Sequence, residues 1–370
     1  MPVEKINIEK FLELSAQNFV IDVRSPGEYN HAHIPGAYNL PLFTDEERKM
    51  VGTAYKQQSR EASIKIGLDF FGPKMKKMVE EIEALIDSRQ SAAGSQHNGI
   101  HTVNCILIYC WRGGMRSAGV AWLLDLYGFR IYTLAGGYKK FRNYTLDLFK
   151  LPLQFNILGG YTGSGKTEML RALKRQGEIV VDLEEIAGHK GSAFGNIEIK
   201  KQPSQEMFEN LLSLQIRMAG RINQVSEFAF SQQASVIWME DESQRIGDLN
   251  LPTELWKTMR KSPVYFLDVS FEERLNHIVA EYGMLPKEGL INAIIRIQKR
   301  LGGFETKNAI NFLLDDNTKE CFRILLKYYD KWYLKSLHNR ENVNSLLINV
   351  PCEGVGLQNA KALRQQALIS

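Results

Sequence analysis

The chain lacks any stretch of about 18 predominantly apolar residues, the length needed to cross a bilayer, so no membrane association is expected. Its N-terminus, MPVEKINIEK, has no apolar core behind a basic segment and so no secretory signal. Cysteine is scarce. Cys105, Cys110, Cys321 and Cys352 form no CxxC pair and no Cys/His group with zinc spacing, so no metal ligand set is certain. Free thiols in a chain of this size fit a reducing compartment, and a cytoplasmic location is expected. Charge of one sign is also lacking. The 46 basic and 42 acidic residues leave a net charge of +4, which permits a nucleic-acid partner without arguing for one. No internal repeat is evident. With 370 residues, 44% apolar and 24% charged, the chain is an ordinary globular sequence long enough for two or three domains.

What is present centres on residues 106–119, ILIYCWRGGMRSAG. Ile106 to Tyr109 reads as a buried strand. It delivers Cys110 onto a loop holding Trp111, Arg112, Gly113, Gly114, Met115 and Arg116. Ser117 is the expected N-cap of a helix with Val120, Leu123, Leu124 and Tyr127 on its apolar face. A helix N-terminus, two arginines and glycine-freed amides all favour an anion, so the Cys110 thiol pKa should be lowered and an anionic ligand held beside it. A cysteine six residues before an arginine suits a persulfide-type carrier or a cysteine phosphatase.

Around this centre, residues 1–145 alternate strands and helices, which implies a parallel sheet covered on both faces. Phe19 to Val23 and Phe129 to Leu134 are the other expected strands. Residues 45–63 are helix-compatible, Lys74 to Ile86 is an amphipathic helix, and residues 88–104, including His97 and His101, read as a surface loop. IDVRSPGEYNHAHIPGAYNLP, the Cys110 loop and LAGGYKKFR together resemble the rhodanese domain, in which the loop cysteine carries sulfur as a persulfide. The Cys-to-Arg loop is one residue longer than in ordinary sulfurtransferases and matches the related phosphatase branch. A wider cradle suits phosphate, or a group larger than sulfur such as selenium.

Residues 146–154 read as a linker to a second domain, 155–370. Phe155 to Leu158 is a strand running into GGYTGSGKTE. Gly160, four residues, then Gly165, Lys166 and Thr167 complete a phosphate-binding loop between strand and helix. Gly160, Gly163, Ser164 and Gly165 supply inward amides, Lys166 a point charge, and the Thr167 hydroxyl a ligand for Mg²⁺. Glu178 to Leu183 and Ser235 to Met239 are further expected strands with acidic ends. Either end, Asp182 and Glu184 or Glu240 to Glu242, could hold Mg²⁺ through water; Asp241, after the more continuous apolar run, is the first choice. His189, Lys190 and Ser192 in GHKGSAFG suit an anion. A long helix is expected from Ser204 to about Phe230, a strand at Val264 to Val269, and a helix after it. From about residue 290 the chain reads as helical and basic, with Lys319, Arg323, Lys327, Lys331 and Lys335 every four residues and Phe322, Tyr329, Trp332 and Tyr333 on another face. That pattern suits RNA contact, and equally a solvated face beside a packed one.

The pairing of the two domains resembles the tRNA 2-selenouridine synthase family over nearly the whole chain. The pieces are IDVRSPGEY, RKMVGTAYKQ, YCWRGGMRS, GGYTGSGKTE, DLEEIAGHKGSAFG and the EDES–RIG segment at 240–247. Lys190 stands where members often carry arginine, which loses a bidentate fork. The resemblance implies an α/β transferase that replaces the 2-sulfur of wobble 2-thiouridine by selenium in the anticodon stem-loop of tRNA. Geranyl diphosphate would first alkylate the sulfur and selenophosphate would then supply selenium, with a selenophosphate-supplying enzyme as a further partner. Cys110 would carry selenium, Arg112, Gly113, Gly114 and Arg116 would hold selenophosphate, and the phosphate loop would hold diphosphate. Arg323, Lys327, Lys331 and Lys335 would contact tRNA. Three other readings remain: an ATP-dependent rhodanese-type sulfurtransferase acting on RNA, a cysteine phosphatase, and a non-enzymatic selenium-delivery module.

Overall fold

Two sets of short apolar runs each assemble into a wholly parallel sheet. The computed structural model describes residues 3–92, 105–189, 201–219 and 236–369. The chain divides into two compact units, one built on Met1–Leu148 and the other on residues from Phe149 onward.

In the first unit β1 (Glu4–Ile6), β2 (Phe19–Asp22), β3 (Tyr38–Asn39), β4 (Ile106–Tyr109) and β5 (Ile131–Leu134) pair in the order β1-β5-β4-β2-β3. All four pairings are parallel. The four residues of β4 are buried throughout, as expected of a central strand covered by helices on both sides. Three helices, Asp45–Gln57, Arg60–Phe71 and Met75–Ala92, lie between β3 and β4 in sequence. The polar segment 45–63 therefore belongs to two helices. Thr44 and Glu47 form a capping box for the first, and the Ser59 side chain accepts from the Ala62 amide to start the second. The expected loop at 88–104 begins later than its composition suggested, because the third helix continues to Ala92; residues 93–104, with His97 and His101, lie outside the described residues.

The second unit is built on β6 (Phe155–Gly160), β7 (Ile237–Glu240), β10 (Val264–Val269) and β11 (Leu347–Cys352) in the order β11-β10-β6-β7, again all parallel. A small antiparallel hairpin, β8 (Arg245–Ile246) and β9 (Leu249–Asn250), stands apart from that sheet. Two expectations need correction. The run Glu178 to Leu183 is not a strand beyond a single bridge from Val180 to Trp238, because Asp182 accepts the Glu185 amide at 2.8 Å and opens the helix Leu183–Ala187. The C-terminal region is not wholly helical, since β11 adds an edge strand that tolerates Pro351. Of the long helix expected from Ser204, Gln205–Ala219 is described.

In both sheets the chemistry-bearing residues lie at the C-terminal ends of strands, where open parallel sheets bind ligands. Cys110 follows β4, the phosphate loop follows β6, and Glu240 ends β7.

Candidate functional site

Cys110 leaves β4 as the sheet ends and lies beneath the start of the helix Met115–Tyr127. The N-cap of that helix is Gly114, not Ser117 as the sequence suggested. Ser117 lies one turn in, buried, with its hydroxyl 3.2 Å from the Cys110 Sγ and 3.1 Å from the Gly114 carbonyl oxygen, either of which can accept its one hydrogen. The Gly114 amide donates to the Cys110 Sγ at 3.3 Å. Burial alone would push the thiol pKa up. The hydroxyl and amide of Ser117, the charge of Arg116 and the Gly114 amide outweigh it, and the pKa falls below that of an ordinary cysteine.

The loop is held closed by its own backbone. The Tyr138 amide donates to the Cys110 carbonyl at 2.8 Å and the Lys139 amide to that of Trp111 at 3.0 Å. Gly137, with φ +59°, lies so close that an added Cβ would come within 2.2 Å of the Cys110 carbonyl oxygen.

Arg116 is not an unengaged anion ligand. Its guanidinium donates to Glu28 at 2.7 Å, and Arg48 pairs with the same carboxylate at 2.9 Å. Burial would raise the Glu28 pKa, yet the two arginines bring it to about 2. Glu28 was absent from the expected site residues; its signal was its place in the SPGEY turn, where it also closes a capping box with Ser25. Arg112 is exposed and, with Arg116 and Gly114, lines a cavity of about 570 Å³ that opens over Cys110. Gly113 is buried in the loop.

In the second unit the phosphate loop runs from Gly160 to Thr167. Gly165 has φ +78° and a Cβ there would lie 2.6 Å from a Val355 methyl, so both conformation and space require glycine. The helix Lys166–Arg175 follows directly, its N-terminus at the loop. The Lys166 ammonium donates to the Gly160 carbonyl at 3.0 Å, across the loop where a phosphate would lie. Gly163 also takes a positive φ, and the buried Ser164 hydroxyl has no hydrogen-bond partner among the described residues.

Asp241, the expected Mg²⁺ contact, is engaged elsewhere among the described residues. Its carboxylate is held by Arg340 and by the Tyr333 hydroxyl. Glu240, one residue earlier, points the other way across β7, as the alternation of a strand requires, and its Oε1 accepts from the Thr167 hydroxyl at 3.5 Å. Glu240, Glu242 and Glu184 bring carboxylate oxygens within 4.8 Å of one another. Glu240 is buried and its Oε2 has no hydrogen-bond partner among the described residues. Burial, then the neighbouring acidic groups, raise the pKa values of both Glu240 and Glu242. An all-carboxylate donor set with one orphaned oxygen, beside a phosphate-loop threonine, fits a hard divalent cation such as Mg²⁺.

His189 is buried, its Nδ1 has no partner among the described residues, and burial lowers its pKa. Lys190 and Ser192 lie outside the described residues.

The basic run on the helix Thr318–His338 separates into two groups. Lys327, Lys331 and Lys335 are exposed. Arg323 is instead engaged by Glu272 and by Glu320, the latter at 3.1 Å, so its charge is already matched. Phe322 and Tyr329 pack in a helical core, and Tyr333 turns beneath the phosphate loop. Trp332 alone among these four aromatics is exposed, with Lys335 and Arg300 each within 6 Å of its ring.

Residues 7–144 match a family model described as a rhodanese-like domain, and residues 153–348 match one described as the tRNA 2-selenouridine synthase AAA domain. A tRNA 2-selenouridine synthase of Bdellovibrio bacteriovorus is 31% identical over 92% of this chain and 94% of its own length. One from Bordetella petrii is 36% identical over 85% of each chain, and one from Pseudomonas putida 34% identical over 77% and 76%.

Proposed function

Because the chain belongs to the tRNA 2-selenouridine synthase family, we propose that it is a cytoplasmic transferase that converts wobble 2-thiouridine of tRNA to 2-selenouridine through an S-geranyl intermediate. The observation that carries this reading is the coexistence on one chain of an activated thiol over a helix N-terminus and a phosphate loop backed by carboxylates.

The phosphate loop, Lys166 and Thr167 bind the diphosphate of geranyl diphosphate. The thiouridine sulfur attacks the geranyl C1, the C1–O bond breaks, and its electron pair leaves with diphosphate, whose growing charge meets Lys166 and the loop amides. Mg²⁺ held by Glu240, Glu242, Glu184 and Thr167 would neutralise diphosphate charge. Alkylation turns a poor leaving group into geranylthiolate. Selenophosphate binds in the anion cradle beside the Cys110 thiol, whose pKa is lowered; its selenium, already at the selenide level, attacks C2, and the phosphoryl group passes to water as phosphate. The C2–Se bond forms as geranylthiolate departs. Phosphate binding in this scheme does not require ATP hydrolysis.

The test is incubation with 2-thiouridine-containing tRNA, geranyl diphosphate and selenophosphate, followed by mass analysis of the nucleosides. Wild type should give 2-selenouridine, Cys110→Ser should stop at S-geranyl-2-thiouridine, and Lys166→Ala should stop before it. Consumption of ATP with no modified nucleoside would replace this reading with an ATP-dependent sulfurtransferase.

A further inference from the structure

The cavity over Cys110 is far larger than an oxyanion needs. At about 570 Å³ it lies within the range of roughly 300–1,000 Å³ typical of pockets for organic ligands. The anion cradle itself uses only the loop amides and Ser117 at its floor. The rest of the space is bounded by the helix Asp45–Gln57, which contributes residues from Arg48 to Lys56. This is the RKMVGTAYKQ segment, and neither thiol activation nor diphosphate binding uses it.

Three features of the lining define its ligand. The first is charge. Arg48, Lys49, Lys56, Arg112 and Arg116 line the cavity and no acidic residue does. Glu28 engages Arg48 and Arg116, while Lys49, Lys56 and Arg112 have no ion pair among the described residues. The second is an apolar and aromatic wall of Phe43, Val51, Met115 and Trp111. The Trp111 ring is backed by Tyr138 at 5.6 Å between centroids and remains 38% exposed. The third is Gly52. It lies inside a helix, where glycine costs about 1 kcal/mol relative to alanine, and it has neither a positive φ nor any atom within 4 Å of where a Cβ would be. Neither backbone conformation nor packing explains a glycine there. A side chain there would project into the cavity.

We propose that this cavity receives one flipped-out nucleotide of a single-stranded RNA loop, its base against Trp111 and Val51 and its flanking phosphates on Lys49, Lys56 and Arg112. The inference rests on the tRNA reading above and adds to it that the unit bearing the thiol holds the reacting base itself. A flat aromatic ligand between an indole and an aliphatic wall, with cations at the rim, is the pattern by which proteins hold unstacked bases. A base bound there lies over Cys110, beside the cradle that holds the selenium donor.

The experiment uses the full chain and an anticodon stem-loop RNA carrying 2-thiouridine at the wobble position. Near-ultraviolet irradiation is followed by mass mapping of crosslinked peptides, beside a binding isotherm for the same RNA. Crosslinks are expected on Trp111 or within residues 48–57. Gly52→Leu, which fills open space and improves helix propensity, should keep or raise the melting temperature and cut that crosslink at least tenfold. Lys49→Glu with Lys56→Glu should do the same. Bound RNA with crosslinks only beyond residue 149, or a Gly52→Leu protein that crosslinks like wild type, overturns the inference and leaves the tRNA reading intact. Failure of the intact chain to bind the RNA at all overturns both.

Discussion

Tyr333 donates its hydroxyl hydrogen to the Asp241 carboxylate at 2.8 Å while accepting the Gly160 amide at 3.1 Å. One phenol thus ties the first glycine of the phosphate loop to the end of β7. A second fastener lies one helical turn away. Asp330 grips Arg274 through two bonds of 2.9 and 2.8 Å, and Arg274 donates to the Thr162 carbonyl within the loop at 3.0 Å. Positions 330 and 333 share a face of the helix Thr318–His338, so the helix whose other side carries exposed lysines also braces the phosphate loop.

Tyr333→Phe removes the phenol oxygen and leaves the buried Gly160 amide unpaired. A buried hydrogen bond to a charged group lost in this way costs on the order of 1–3 kcal/mol. The variant should melt at a lower temperature and bind inorganic diphosphate more weakly by calorimetry. Unchanged diphosphate affinity would mean that the phenol braces the fold without shaping the loop.

Thiol reactivity offers a separate check on the Cys110 cradle. Burial raises Cys321 to about 12 and Cys352 to about 11, and it also raises Cys105, whereas Cys110 is lowered. Limiting iodoacetamide at pH 7 should therefore give a single adduct, on Cys110. Ser117→Ala removes the largest stabilising contact to the thiolate, so the pH midpoint of alkylation should move upward. Multiple adducts on the native protein, or an unmoved midpoint in Ser117→Ala, would refute the assignment.

What was legible in the sequence follows from how local its cause is. Strands β4 and β10 coincide with their apolar runs, and the phosphate loop is a contiguous spacing, so both read directly. The DVR and HIPGA pieces were visible as signatures, but their role needed the fold. Arg24 pairs with Asp22 at 2.7 Å, donates to the Ala32 carbonyl and lies 3.9 Å from the Tyr138 ring, which knits three distant segments under the thiol loop. Asp241 was preferred for the continuous apolar run before it, but that Glu240 meets Thr167 is a matter of strand parity, which an apolar run does not reveal when its end is uncertain by one residue. Glu28 and the role of Tyr333 at the phosphate loop escaped notice because their partners, Arg116 and Gly160, lie 88 and 173 positions away.

RNA contact by the C-terminal helix is testable through salt. Lys327, Lys331 and Lys335 are exposed, while Arg323 is matched by Glu272 and Glu320. Replacing the three lysines by glutamine should weaken tRNA binding and flatten the dependence of log K on log salt by about 2 to 3, one increment per lost phosphate contact. Arg323→Gln should leave that slope as it is. Equal slopes in wild type and the triple variant would assign the stripe to simple solvation.

The acidic cluster makes stability depend jointly on pH and on Mg²⁺. Burial and the nearby Glu184 charge raise Glu242 to about 8, and burial and the same neighbours raise Glu240. A carboxylate raised in the folded state binds its proton more tightly there than in the unfolded chain. Its contribution to stability is complete below the unfolded pKa of about 4.3 and is lost as pH rises through the folded value. Without divalent cations, the melting temperature should therefore fall between pH 6 and pH 8.5. Mg²⁺ replaces the protons, so its stabilising effect should grow over the same interval. Glu240→Gln removes one titrating group and one ligand, and should reduce both the pH slope and the Mg²⁺ response. A wild-type melting temperature that ignores Mg²⁺ at pH 8.5 would show that the three carboxylates do not form a cation site.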